Sequence, residues 1–119
     1  MRSEDLRDRT KRFAIEISKL VEALPNNRVA DVFGKQLLRS GTSVGANYRA
    51  ACRAKSRADF ISKMGTVEEE ADETLYWLEL LFEAKLVVPN QIQHLHREAN
   101  EILAIVVASI KTARRNKNG

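Results

Sequence analysis

Apolar side chains recur along this chain at alternating spacings of three and four, in four blocks separated by short polar breaks. The first block carries Leu6, Thr10, Phe13, Ile17, Leu20 and Leu24 on one stripe. Such a stripe predicts an amphipathic helix that packs against other helices. We place it at residues 3–23, with Ser3 as N-cap and Glu4 and Asp5 in the first turn, where acidic groups suit the helix dipole. Pro25 ends it, because the residue before a proline is pushed out of the helical region, and Asn26 and Asn27 fit a turn and the cap of the next helix.

The second block predicts a helix over residues 28–54, with Phe33, Leu37, Val44 and Ala51 on its apolar side. The third predicts a helix over 57–84. Ser56 and Asp59 at its start have the spacing of a capping box, and Phe60, Met64, Val67, Ala71, Leu75, Leu78 and Phe82 form its core stripe. Val88-Pro89-Asn90 restarts the chain with proline in a first helical turn. The fourth helix, over 89–113, turns Ile92, Leu95, Ala99, Ile102, Val106 and Ile110 inward, with Leu103 and Val107 widening the face. A basic tail, 114–119, is expected to fray. Four helices with short connections predict an all-α, antiparallel up-down-up-down four-helix bundle forming a single domain over residues 1–119.

Composition agrees with this. The 119 residues are 44% hydrophobic and 30% charged, with two prolines and five glycines, leaving little material for a turn-rich β fold. No run of about 18 apolar residues offers a membrane span. The start of the chain has no apolar core of a secretory signal, and one cysteine, Cys52, leaves no internal disulfide, so a cytoplasmic location is expected.

Charge changes the picture more. The net formal charge is +4, but residues 25–56 hold six cations against one anion and residues 57–85 three against eight. At about 100° per residue, Arg39, Arg49 and Arg53 fall within about 40° of Lys35. The same helix carries a stripe of Gly41, Gly45, Tyr48 and Cys52. Glycine in a helix costs about 1 kcal/mol relative to alanine, so two of them one turn apart are read as a close helix approach. The third helix presents Glu69 and Glu73 beside Tyr76, Trp77 and Leu80. A face both acidic and aromatic fits a subunit interface.

Catalytic constellations are scarce. His94 and His96, two apart on a helix, point in different directions. No Glu-x-x-His pair recurs, and Glu68-Glu69-Glu70 has no histidine partner, so no metal and no cofactor are expected. Gly41 and Gly45 lack the Lys-Ser/Thr that completes a phosphate loop. Cys52 has basic neighbours but no histidine near it in sequence. The chain is not expected to be an enzyme.

Two readings fit the cationic row. Lys35, Arg39, Arg49 and Arg53, joined by Arg57 and by Lys111, Arg114 and Arg115, would contact the phosphates of RNA or DNA. Alternatively, the arginines pair with Glu69, Glu70 or Glu73 within or between subunits, and the charges serve a structural scaffold.

The elements Leu24-Pro25, then QLLRSGTSVGANYR from Gln36 to Arg49, DFISK from Asp59 to Lys63 and ETLYWL from Glu73 to Leu78 resemble the four helix bundle protein family. Its members are also called 23S rRNA-intervening-sequence proteins, because some are encoded within insertions in bacterial rRNA genes. That name records a genomic location, not rRNA binding. The resemblance spans about residues 20–88. Ala50 departs from it, since many relatives carry Glu there, and no charge role carries over at that position. What the resemblance implies is a bacterial cytoplasmic four-helix bundle that forms a ring-shaped homopentamer. It also implies kinship with the accessory proteins of diversity-generating retroelements, in which a basic pentamer binds nucleic acid and a reverse transcriptase.

Overall fold

In the computed structural model, which describes residues 3–116 and their side chains from residue 6, four helices account for nearly the whole chain: α1 (Ser3–Glu22), α2 (Arg28–Cys52), α3 (Arg57–Glu83) and α4 (Pro89–Arg115). The Ser3 cap lies outside the described side chains. Each later helix starts where a side chain satisfies a backbone N–H that has no partner of its own in the first turn. The Asn27 side chain accepts from Ala30 N at 2.8 Å, and the Ser56 hydroxyl from Asp59 N at 3.0 Å. The Asp59 carboxylate in turn accepts the ammonium of Lys63 and the backbone N–H of Lys55, and these hydrogen bonds, that of Lys63 foremost, hold it below the usual carboxylate range. Pro89 opens α4, and Gln91 Oε1 accepts Val88 N–H at 2.9 Å.

Two helix ends differ from the sequence reading by two residues, and those of α1 and α3 by one. α2 stops at Cys52, because the amides of Arg53 and Ala54 turn back three residues to Ala50 and Ala51 before Ser56 restarts the chain. α4 runs through Arg115, so Arg114 and Arg115 are helical, while residues 117–119 lie outside the described residues. α3 ends with Lys85 at φ 61°, Leu86 N–H bonding Leu81 C=O and Lys85 N–H bonding Phe82 C=O. This double closure usually employs glycine, which reaches a positive φ without strain.

Neighbouring helices run antiparallel. Gly45 of α2 lies against Thr10, Gly41 against Ile17 and Gly34 against Val21 of α1 and Leu24 just beyond its end. Ser40 meets Thr74, and Phe33 meets Trp77, across α2 and α3. Arg57 meets Asn116, and Glu79 meets His96, across α3 and α4. Arg9 of α1 closes the ring onto α4: its Nε donates to Glu98 at 2.5 Å, and its Nη2 to Glu98 at 2.7 Å and to Glu101 at 2.6 Å. The molecule measures 52 × 21 × 20 Å.

The core follows the predicted stripes on α1, α2 and α4, with Ile17, Leu37, Val44, Ile102 and Val106 fully buried, except that Leu24 and Phe33 are half-buried and pack against its edge. On α3 the stripe turns. Leu81 is buried where Phe82 was expected, Thr74 joins it, Phe60 is half-buried and Phe82 is exposed. Both spacings, Leu78 to Leu81 and Leu78 to Phe82, keep a helical face, so only the angle at which α3 meets its neighbours decides between them.

Candidate functional site

Small residues bring α1 and α2 together. A methyl group built on Gly41 would sit 2.9 Å from Ile17 Cγ2, which leaves no room for it, and one on Gly45 3.0 Å from Thr10 Oγ1, so that Thr10 would have to give way. Gly34 belongs to the same seam, with Leu24 Cδ1 at 2.9 Å. The sequence reading missed it, although its spacing of seven from Gly41 is two helical turns. Tyr48 is buried at this seam, but Cys52 is not: it is the last residue of α2, exposed where the chain leaves the helix.

The cationic row of α2 divides over this seam. Arg39 turns toward α3, where its Nη1 donates to Glu70 at 3.2 Å, its Nη2 to Glu73 and its Nε to Gln36 at 3.2 Å. Glu73 also accepts the indole N–H of Trp77 at 3.0 Å. That N–H, followed by Arg39, holds the Glu73 carboxyl below its usual value, and Glu73 raises Arg39 in return. Lys35 pairs with Asp31 one turn away on its own helix, at 3.4 Å.

Arg49 and Arg53 turn the other way. With Arg7 and Lys11 of α1 they line an open groove whose floor is Ala14, Thr42, Gly45 and Ala46, with Thr10 between. Asp8 is the sole carboxylate among the lining residues. None of these four cations makes an ion pair with a carboxylate among the described residues. The remaining predicted cations lie elsewhere. Arg57 donates to the Asn116 carbonyl and so ties the start of α3 to the end of α4. Lys111, Arg114 and Arg115 are exposed on the last turns of α4. Through the Arg57 contact they occupy the same end of the bundle as Arg53.

Arg7 and Lys11 were not expected in the site. Their separation of four was a usable signal, since it puts both on one flank of the Leu6–Thr10 stripe. Segment charge hid it, because Glu4, Asp5 and Asp8 nearly balance the first helix.

The acidic and aromatic residues of α3 share the face it forms with α2. Phe33 packs on Trp77 with ring centroids 5.8 Å apart, and Tyr76 meets Trp77 edge-on at 5.1 Å. Trp77 and Leu80 are half-buried, Glu69 is exposed, and Glu73 is taken up by Arg39 and Trp77. Tyr76 is 55% exposed, and Val29 and Val32 of α2 are about half exposed at 49% and 52%. Among the described residues, no three His, Cys, Asp or Glu side chains gather as a metal site, and no helix is long and apolar enough to cross a membrane. His94 is exposed, and His96 contacts Glu79 at 2.9 Å.

Comparison with known proteins bears on the whole bundle. A family model described as 23S rRNA-intervening sequence protein matches residues 3–108. A solved structure from Bacteroides thetaiotaomicron, described as a protein with unknown function from the S23 ribosomal protein family, is 40% identical, with a TM-score of 0.86 over 93% of this chain and 99% of that chain. No curated protein matches.

Proposed function

The chain belongs to the 23S rRNA-intervening sequence protein family, and from that premise we propose that it is a non-enzymatic, homo-oligomeric module that binds nucleic acid, RNA foremost, through the α1/α2 groove. One observation carries this reading: Arg7, Lys11, Arg49 and Arg53 converge on one open surface without carboxylate partners among the described residues. Cations held that way are free to displace the counterions of a phosphate backbone, and that release drives salt-dependent binding. Arginine suits the task because its planar fork pairs two phosphate oxygens at once. The test is filter retention of labelled RNA at low salt. Retention that falls when Arg49 and Arg53 become Glu supports the proposal, and no retention of RNA or DNA refutes it.

A second reading, assembly, has its own observation. Val29, Val32 and Tyr76 leave apolar surface uncovered beside the Phe33–Trp77 contact, and such a surface fits a neighbouring subunit of a homopentamer. Light scattering on a Val32→Glu/Tyr76→Glu variant tests it: the assembly mass should fall, and an unchanged mass contradicts the assignment.

A further inference from the structure

Resting on the nucleic-acid reading, we infer that the α1/α2 groove takes the sugar–phosphate backbone of a double-stranded segment and reads no bases. Three features of the groove carry this.

The first is spacing. Because α1 and α2 run antiparallel with Thr10 facing Gly45, Arg7 and Arg49 fall at about one level. Lys11 lies about one turn to one side and Arg53 about one turn to the other. Four residues of helix advance about 6 Å, close to the separation of successive phosphates along one strand. The cations therefore form a ladder matched to a continuous backbone rather than a cluster matched to a single phosphate.

The second is what the groove lacks. Proteins that hold single strands, or RNA loops with splayed bases, stack those bases on aromatic side chains. No aromatic residue lines this groove. Phe33, Tyr76 and Trp77 gather on the α2/α3 face instead, and Phe13 and Tyr48 are buried. Asn and Gln, the usual bidentate readers of adenine, are also missing from the lining, and Arg and Lys, which read guanine in the major groove of B-DNA, cannot reach base edges in the deep, narrow major groove of an A-form helix.

The third is shape. Between the cations the lining is made of the small residues Gly45, Ala46 and Ala14, which leave room for a rounded backbone to approach the helices. Asp8 at the edge would repel phosphate, which confines the contact to the four cations.

The experiment is fluorescence anisotropy with a blunt RNA duplex of about 20 base pairs, which runs the 52 Å bundle even though an A-form helix rises less per base pair than the 3.4 Å of B-DNA. The same sequence as DNA duplex, a scrambled RNA duplex, an oligouridine of equal length and polyglutamate complete the set. The expected result is tight binding of duplex, equal for scrambled sequence, with the single strand weaker by tenfold or more. Arg49→Ala/Arg53→Ala should weaken duplex binding at least tenfold and flatten the log–log salt slope by about 2. Lys11→Ala, on the other helix, provides a second variant and should flatten it by about 1. Binding of RNA duplex alone or of DNA duplex alone supports the inference and identifies the preferred helix form. Oligouridine bound as tightly as duplex overturns the inference but spares nucleic-acid binding, as does loss of binding on scrambling. Polyglutamate competing as well as duplex overturns the inference. No binding of any nucleic acid overturns the function reading itself.

Discussion

Gly41 and Gly65 are both helix-interior glycines, yet they answer to opposite physics. At Gly41 an added methyl meets Ile17 Cγ2 at 2.9 Å and Cβ at 3.3 Å, on a fully buried branched side chain that cannot rotate away. Overpacking of that kind costs about 1–3 kcal/mol, against about 1 kcal/mol gained in helix propensity. At Gly65 an added methyl meets nothing within 4 Å. Urea denaturation should therefore find Gly41→Ala less stable by about 1 kcal/mol and Gly65→Ala more stable by about 0.5–1 kcal/mol. Equal shifts would contradict the close approach of α1 and α2. The stripe of small residues was visible in the sequence as far as Gly41, Gly45 and Tyr48. Cys52 was counted with them only because a repeat gives no notice of where its partner helix ends.

Arg9 supplies the other residue-scale test. Its guanidinium bridges Glu98 and Glu101, with 17% of its side chain exposed, and it holds the Glu98 carboxyl below the usual range. A depressed carboxylate contributes stability above its unfolded pKa and loses it as the pH falls through its folded one. Arg9→Met, which keeps the aliphatic stem, should lose about 1–2 kcal/mol at pH 7. The gap should close as the pH falls below about 4. A gap unchanged at pH 3 would assign the loss to packing instead.

At the scale of elements, helix starts were legible because they depend on local chemistry. Asn27, Ser56 and Pro89 each act within three residues of themselves. The inward face of α3 was less so. Leu81 and Phe82 are both apolar and adjacent, and the choice between them rests on contacts with α2 and α4 that lie far away in sequence. The cationic row divides for a related reason. A helical wheel puts Arg39 within about 80° of Arg49, and that arc straddles the boundary between two grooves. Arg39 found Glu70 and Glu73 on α3, while Arg49 and Arg53 faced Arg7 and Lys11 on α1.

Across the whole molecule, the division of one row places it in two surroundings. The α2/α3 face joins Arg39, Glu70, Glu73, Trp77 and Phe33 into a network of ion pairs and rings that holds two helices in register. The α1/α2 face leaves its cations open to solvent. The two faces are separable by mutation, because neither arginine set touches the other's partners. The most direct test measures RNA affinity and thermal stability together for Arg39→Ala and for Arg49→Ala/Arg53→Ala at about 50 mM salt. The double variant should bind at least tenfold more weakly and unfold at the temperature of the unaltered protein. Arg39→Ala should keep its affinity within about twofold and lose up to about 1 kcal/mol of stability. Affinity lost equally in both variants, or retained in the double variant, would contradict the assignment of the groove as the nucleic-acid site.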